Sequence, residues 1–454
     1  MTSNPTPNPS RKQPAPDLIR GEGSVVEINF DGLIGPSHNY AALSLGNLAS
    51  ARHAGATSRP RAAALQGLAK MRFVMGLGLT QGFLLPLERP DVGFLRGMGF
   101  AGTDDQVIAR AAAADPRLFA IACSASSMWT ANAATVSPAA DTADGRCHIS
   151  AANLSRMAHR SIEHPQTHAQ LAIAFADPAF AVHEALPAAF GDEGAANHMR
   201  LCSRHDAPGV EIFVFGSDGG SAAGGEEGGR FPARQNRRAS EAIARRHGLD
   251  SARTVFAAQS QTAIDAGAFH NDVVAVANGP VLFAHEQAFA DPARLKADLA
   301  AVMPDAVVIE VPASAVSLAD AISSYLFNSQ LLTLPDGSMA LVLPKEAEAT
   351  PSVRAYLAAL VAGNGPIRAA HFVDVRESMQ NGGGPACMRL RVVADPARVD
   401  PRFLMDSAKA DRLERLVETW WPEAIGPADM ANPDLWGQVR AARAALLAEV
   451  GISV

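Results

Sequence analysis

Cys387 stands in the run QNGGGPACMRLRVV, behind three glycines and a proline and ahead of an alternating strand pattern. Glycine lets the backbone approach a ligand closely and take conformations closed to other residues. A cysteine at such a loop-to-strand junction is suited to act as a nucleophile. The alternative is an inert buried thiol, the fate of most free cysteines. Cys123 in IACSASS, Cys147 in GRCHIS and Cys202 in RLCSRH lack this setting and read as structural. His270, in GAFHNDVVAVAN, stands where a turn enters a strand. Histidine serves a thiol nucleophile first as base and then as acid. Asp272 lies two residues on, so on a strand it faces the same side. A hydrogen-bonded turn histidine is the competing reading. Glu193, in GDEGAANHMRL, sits among glycines and alanines that allow close approach to a ligand; a solvated turn carboxylate is the alternative.

Other chemistries find less support. The segment GSDGGSAAGGEEGGRFPARQ (216–235) is rich in glycine but lacks the Gly-Lys-Ser/Thr ending of a phosphate loop. It reads as a flexible lid leading to Arg234. The thirteen histidines contain no HExxH, and a helix boundary near Pro165 separates His159 from His164. No zinc or other metal site is expected. The four cysteines form no CxxC pair and read as reduced thiols. A formal net charge of -7 argues against nucleic-acid or anionic-membrane partners. No apolar run has the length of a membrane span, and the N-terminus carries no signal pattern, so a cytoplasmic location is expected.

The elements that must position these residues alternate between strand and helix patterns. Residues 1–23 are dominated by Pro, Asn and Ser and read as a disordered tail. A single catalytic domain is expected over 24–454, opening on the strand VVEINF. Further strands are expected at VEIFVF (210–215), VVAVA (273–277), VVIEV (307–311), MALVLP (339–344) and MRLRVV (388–393). Helices are expected at RPRAAALQGLAKMRFVMGLG, with Ser58 at its start, and at NRRASEAIARRHG, PARLKADLAAVM and SVRAYLAALVAG. Hairpin turns are signalled near Asp144-Gly145, at Asn278-Gly279 and at Asp336-Gly337. Asn132, Asn197, Asn271, Asn328 and Cys387 open comparable units roughly 55–75 residues apart, each a hairpin followed by a helix. Several such α/β units about an axis would form one large domain.

Taken together, EINFDGLIGPSHNYAALSLGN, SASSMWTANAATVSPAADT, GDEGAANH, FPARQ, FHNDVVAV, YLFNSQLL and RESMQNGGGPACMRLRVV resemble the N-succinylarginine dihydrolase family, over nearly all of the chain after Val26. That family belongs to the guanidine-modifying, pentein-type superfamily. The resemblance implies an α/β fold, a five-bladed α/β propeller of pseudo-fivefold ββαβ-like repeats. It implies Cys387 as nucleophile, His270 as general acid/base and Glu193 as third catalytic residue. Substrate contacts carry over to Ala41, Ala42, Leu43, Ser44, Leu45, Gly46, Asn47, Leu48, Ala49 and Ser50, and to Asn132, His159, Arg160, Arg234, Asp272 and Asn381. The long N-terminal tail and the Gly-rich makeup of 216–230 depart from the family pattern.

The implied reaction takes N-succinylarginine to N-succinylornithine, two ammonia and carbon dioxide, with no cofactor, in a homodimer. A guanidinium is a planar cation that carboxylates fit with paired, charge-assisted hydrogen bonds. Glu193 and Asp272 are the candidate pair, and Arg234 and Arg160 suit the substrate carboxylates. Thiolate formation at Cys387 is expected to draw on a His270 cation or on the charge of the substrate. Two other readings stay open on the sequence: a deiminase that stops after one ammonia, and a non-catalytic binder of an arginine derivative.

Overall fold

The computed structural model describes residues 25–218 and 229–453. The N-terminal tail and half of the expected lid, residues 219–228, lie outside them. Runs of Val, Ile, Leu and Phe bounded by turn residues become short strands, which pair three by three. β1 (Val26–Gly32) runs parallel to β2 (Thr80–Leu84) after the helix Pro60–Gly76. β3 (Ala134–Ser137) and β4 (Cys147–Ala151) form a hairpin, and β5 (Phe180–His183) lies parallel to β4 after the helix His164–Ala174. The pattern repeats in β6 (Met199–Leu201), β7 (Val210–Phe215) and β8 (Thr254–Ala258) around the helix Arg237–Arg246. It repeats in β9 (Ala275–Asn278), β10 (Val281–His285) and β11 (Val307–Val311) around Pro292–Val302. It repeats again in β12 (Gln330–Thr333), β13 (Met339–Pro344) and β14 (Ile367–Val373) around Pro351–Ala362. Finally β15 (Arg389–Ala394) returns to pair antiparallel with β1, Ile28 opposite Val392.

Each of the five sheets therefore holds one antiparallel and one parallel pair. A parallel pair needs a crossover, and the helix supplies it while covering one face of the sheet. The class is α/β, in five small sheets of one ββαβ order, and the fifth joins the two ends of the described chain. Every residue of the central strands β7 and β13 is inside, which explains the apolar run of β13 and the mostly apolar run of β7, where Glu211 is buried too. The hairpins turn where Asn-Gly and Asp-Gly announced them, with Gly279 at φ +51° and Gly337 at φ +81°. The helix Pro60–Gly76 turns Ala64, Leu68 and Met71 into one core with Phe30 of β1, Phe83 of β2 and Trp421. Lys70 on the same face is buried and pairs with Asp31 of β1.

Two local expectations are corrected. Ser58 does not start the helix: Arg59 precedes its first turn, and Ser58 instead bridges to Ile425 and donates its hydroxyl to the His38 carbonyl at 2.6 Å. The strand expected from Val273 begins at Ala275, because Asn271–Val273 close a single 3-10 turn. His270 and Asp272 therefore do not share a strand face by alternation. The openers of the five units do share a place in the fold. Asn132, Asn197, Asn271, Asn328 and Cys387 are all buried, each two to four residues before β3, β6, β9, β12 and β15.

Candidate active site

Burial does not single out Cys387, since all four cysteines are buried. Its partners do. The turn after Gly382–Gly384 sets its sulfur 3.4 Å from Oδ2 of Asp272. Asn328 Nδ2 lies 3.0 Å from the sulfur and 2.9 Å from the same carboxylate oxygen. The Cys387 carbonyl accepts from Ala131 N–H at 3.0 Å, which brings the Thr130–Asn132 turn alongside. The glycines before Cys387 have specific neighbours. A Cβ on Gly383 would lie 2.2 Å from Trp129 Nε1, and one on Gly384 would lie 2.8 Å from Asn328 Oδ1.

Glu193 is buried, not solvated, between Asp192 and a left-handed Gly194 at φ +81°. Neither of its carboxylate oxygens has a hydrogen-bond partner among the described residues, and Asp272 Oδ1 is likewise buried and unpartnered. Burial, reinforced by the charge of Asp192, raises the Glu193 carboxyl from 4.5 to about 8. Burial raises Asp272 from 3.8 to about 7, against the hydrogen bonds from Cys387 and Asn328. Burial, then the charge of Asp272, pushes the Cys387 thiol well above its ordinary range. His270 is buried with its Nδ1 unpartnered, and burial together with Arg234 and Arg160 pushes it well below 6.5. Both causes work against the His270 cation that was expected to favour the thiolate. Desolvation disfavours the charged ring, and the two guanidinium groups repel it.

The segment from Ala41 to Ser50 is brought against several of the other predicted contacts. Ser44 Oγ and His159 Nε2 are 3.1 Å apart, and Arg234 donates to the Leu45 carbonyl. Asn47 donates to the Gly382 carbonyl at 2.9 Å, next to Asn381. Gly46 takes φ +82° and packs on Phe231 and Phe269, and Leu48 and Ala49 begin the short helix Leu48–Arg52, which Asn47 caps at Ser50 N–H. A small cavity is lined by Ala41, Ala42, Leu43, Ser44, Ser50, Trp129 and Asn381. Asn132 lies in the turn beside Cys387. The two arginines differ. Arg160 Nε and Nη2 are already engaged by Glu163, at 3.0–3.3 Å in a buried pair. Arg234 lies 5.1 Å over the Phe269 ring, and its buried Nε has no hydrogen-bond partner among the described residues. Burial lowers its pKa to about 10.

Two residues of this neighbourhood were not singled out as site residues from the sequence. Asn328 was visible only as the opener of a unit. Trp129, whose buried Nε1 has no partner and whose ring lies 5.9 Å from the Arg160 guanidinium, follows SSM in the same motif as Asn132. An isolated tryptophan reads as core, and only its contact with Gly383 ties it to the cysteine loop.

These residues supply a buried thiol with a carboxylate at its sulfur, a buried imidazole and a second buried carboxylate, and the burial of the carboxylates is costly unless a cation reaches them. Comparison with known proteins agrees with that chemistry. A family model described as succinylarginine dihydrolase matches residues 24–454. The N-succinylarginine dihydrolase of Sphingopyxis alaskensis is 61% identical over 429 residues, covering 94% of this chain and 99% of that protein. The protein of the same name from Burkholderia thailandensis is 53% identical, covering 92% and 95%. Among solved structures, the apo form of ArgZ, an arginine dihydrolase from the ornithine-ammonia cycle in cyanobacteria, superposes with a TM-score of 0.50 at 15% identity, over 82% of this chain and 42% of that one. That likeness concerns the fold alone. On the match to its full described length and the identity to these relatives, the chain belongs to the succinylarginine dihydrolase family.

Proposed function

We propose that this protein is a cysteine hydrolase that converts N-succinylarginine and two waters to N-succinylornithine, two ammonia and carbon dioxide. The names of its relatives support the substrate. The observation that carries the chemistry is the Asp272 carboxylate at the Cys387 sulfur, with Oδ1 of Asp272 and both carboxylate oxygens of Glu193 buried and without a partner among the described residues. A guanidinium that reaches both carboxylates offsets the cost of their burial and favours the ionised form of each.

The same cation lowers the cost of a thiolate at Cys387, whose proton passes to neutral His270. The sulfur adds to the guanidinium carbon. His270 returns the proton to the departing nitrogen, which leaves as ammonia. The imidazole then takes a proton from water, whose oxygen attacks the S-linked carbon and releases Cys387, leaving a ureido group. A second passage expels the second ammonia, and the resulting carbamate loses carbon dioxide. Arg234 is assigned to the succinyl carboxylate, with its free Nε as donor. Arg160, held by Glu163, is assigned a supporting role. The reading needs no metal, nucleotide or flavin.

We further propose that the five sheets close into a propeller. The first strands β3, β6, β9 and β15 and the segment before β12 line one cavity of about 110 Å³. Neighbouring first strands touch at β15 and β3, β6 and β9, and β9 and β12. A cytoplasmic homodimer remains the proposed state, to be checked by sedimentation. No helix of the described residues is long and apolar enough to cross a membrane.

The deciding experiment is a product assay with N-succinylarginine, following ammonia and the succinylated product by mass spectrometry. Two ammonia per substrate are expected. One ammonia with a stable ureido product identifies a deiminase, and none identifies a binder.

A further inference from the structure

Asn328 uses both ends of its side chain within the site. Its Oδ1 accepts the Cys387 N–H at 3.2 Å, and its Nδ2 reaches Cys387 Sγ at 3.0 Å and Asp272 Oδ2 at 2.9 Å. The residue is completely buried, its own carbonyl accepts from Ala386 N–H at 3.1 Å, and Gln330 beside it donates to the Pro385 carbonyl at 3.3 Å. The segment Asn328–Gln330 therefore grips the loop 385–387 at several points.

A sister position separates the two functions of the amide. Asn197, which opens an earlier unit, accepts the Asn271 N–H on its Oδ1 at 2.8 Å, as Asn328 accepts that of Cys387. This clasp from one unit opener to the next therefore occurs at two junctions of the repeat. The Nδ2 atoms differ. That of Asn197 donates to the Val214 carbonyl at 3.2 Å, whereas that of Asn328 is directed at the sulfur and at the carboxylate beside it.

We propose that Asn328 is a positioning residue for the reaction, whose side-chain N–H groups hold the Cys387 sulfur and the Asp272 carboxylate together and favour the anionic form of both. The proposal rests on the assignment of Cys387 as nucleophile. Two anions at this separation repel, and a neutral donor shared between them stabilises each without adding net charge. It also occupies Asp272 Oδ2, so that Oδ1 alone is left to face a guanidinium.

Asn328→Asp tests the donor half, because it keeps an acceptor for the Cys387 N–H and has the same shape. When ionised, the new carboxyl places a third anion beside the sulfur. When protonated, it supplies an O–H donor where Nδ2 stood. The readout is the rate of Cys387 alkylation by iodoacetamide against pH, in the substrate-free protein, together with kcat/KM for N-succinylarginine. The expected result is a thiol titration displaced upward by at least about one pH unit, hence roughly tenfold slower alkylation at a fixed pH below it. The loss in kcat/KM should shrink as the pH falls and the introduced carboxyl takes up a proton, a recovery that a purely structural role would not produce. If Asn328→Asp does not fold, Asn328→Ser, which keeps a neutral donor on a shorter arm, is measured in the same way. It should give slowed alkylation with an intact melting transition. A native alkylation profile in the folded variant overturns the proposal. Turnover retained in Cys387→Ser would instead overturn the nucleophile assignment on which it rests.

Discussion

At the scale of single residues, the site is governed by desolvation. Glu193 and Asp272 bind protons in the neutral range because burial disfavours their charge, and the substrate cation needs both ionised. The predicted consequence is that kcat/KM rises with pH as Asp272 (about 7) and then Glu193 (about 8) lose their protons, and then levels off. Measured from about pH 5 to about pH 9, Glu193→Gln should remove the upper step and lower the plateau at least about 100-fold. A profile that falls across this range would contradict the assignment. Arg234 carries the second residue-scale prediction. Losing a charge-assisted pair in a closed site costs roughly 2–5 kcal/mol. Free arginine, which lacks the succinyl carboxylate, should therefore have a kcat/KM at least about 100-fold below that of N-succinylarginine. Arg234→Ala should harm the succinylated substrate far more than arginine, and Arg234→Lys should restore only part, because an ammonium lacks the guanidinium fork. Equal loss for both substrates would transfer the role to His159 or Arg160.

At the scale of elements, the segment Ala41–Ser50 has little regular structure of its own and is held from outside. Asn47 does two jobs there: it caps the helix Leu48–Arg52 at Ser50 N–H and donates to the Gly382 carbonyl. The two ties connect the segment Ala41–Ser50, proposed to contact substrate, to the cysteine loop. Gly382 permits this approach because it has no side chain; a Cβ there would meet Asn47 at 2.2 Å, and its φ of +99° suits glycine. Asn47→Ala should cost about 1 kcal/mol through the lost cap. It should also raise KM more than it lowers kcat, since the thiol and its partners stay in place. Melting temperature and steady-state kinetics check both parts, and an unchanged KM would show that Arg234 and His159 hold the segment without it.

At the scale of the whole molecule, the last strand closes on the first. Glu27 of β1 lies 3.2 Å from Arg389 and 3.3 Å from Arg391 of β15, with Glu27 and Arg389 buried. Burial works to raise the Glu27 pKa, but Arg391 and Arg389 outweigh it and hold the group below its ordinary 4.5. A carboxyl depressed on folding stabilises the fold above its unfolded pKa, and that stabilisation disappears as pH falls through the lowered folded value. Glu27→Gln should cost roughly 3–5 kcal/mol at neutral pH, because it leaves buried guanidinium groups without a counter-charge. The gap to the native chain should narrow in acid. Urea denaturation at neutral and acid pH measures both; a gap that stays constant with pH would show that the loss is one of packing.

By itself the sequence determined the local elements. Runs rich in Val, Ile, Leu and Phe marked β7, β11 and β13, Asn-Gly and Asp-Gly marked hairpin turns, and the glycines before Cys387 marked a loop, because such signals depend on near neighbours in the chain. The spacing of Asn132, Asn197, Asn271, Asn328 and Cys387 even made the repeat legible. What the tertiary structure decided was the electrostatics and the pairing. Asp272 was expected to face the same side as His270 by strand alternation; a 3-10 turn breaks that alternation, and tertiary packing sets Asp272 beside Cys387. Burial, which no run of sequence states, disfavours the charged form of His270. Asn328, 59 residues before Cys387, reaches the sulfur only because two successive units place their openers side by side.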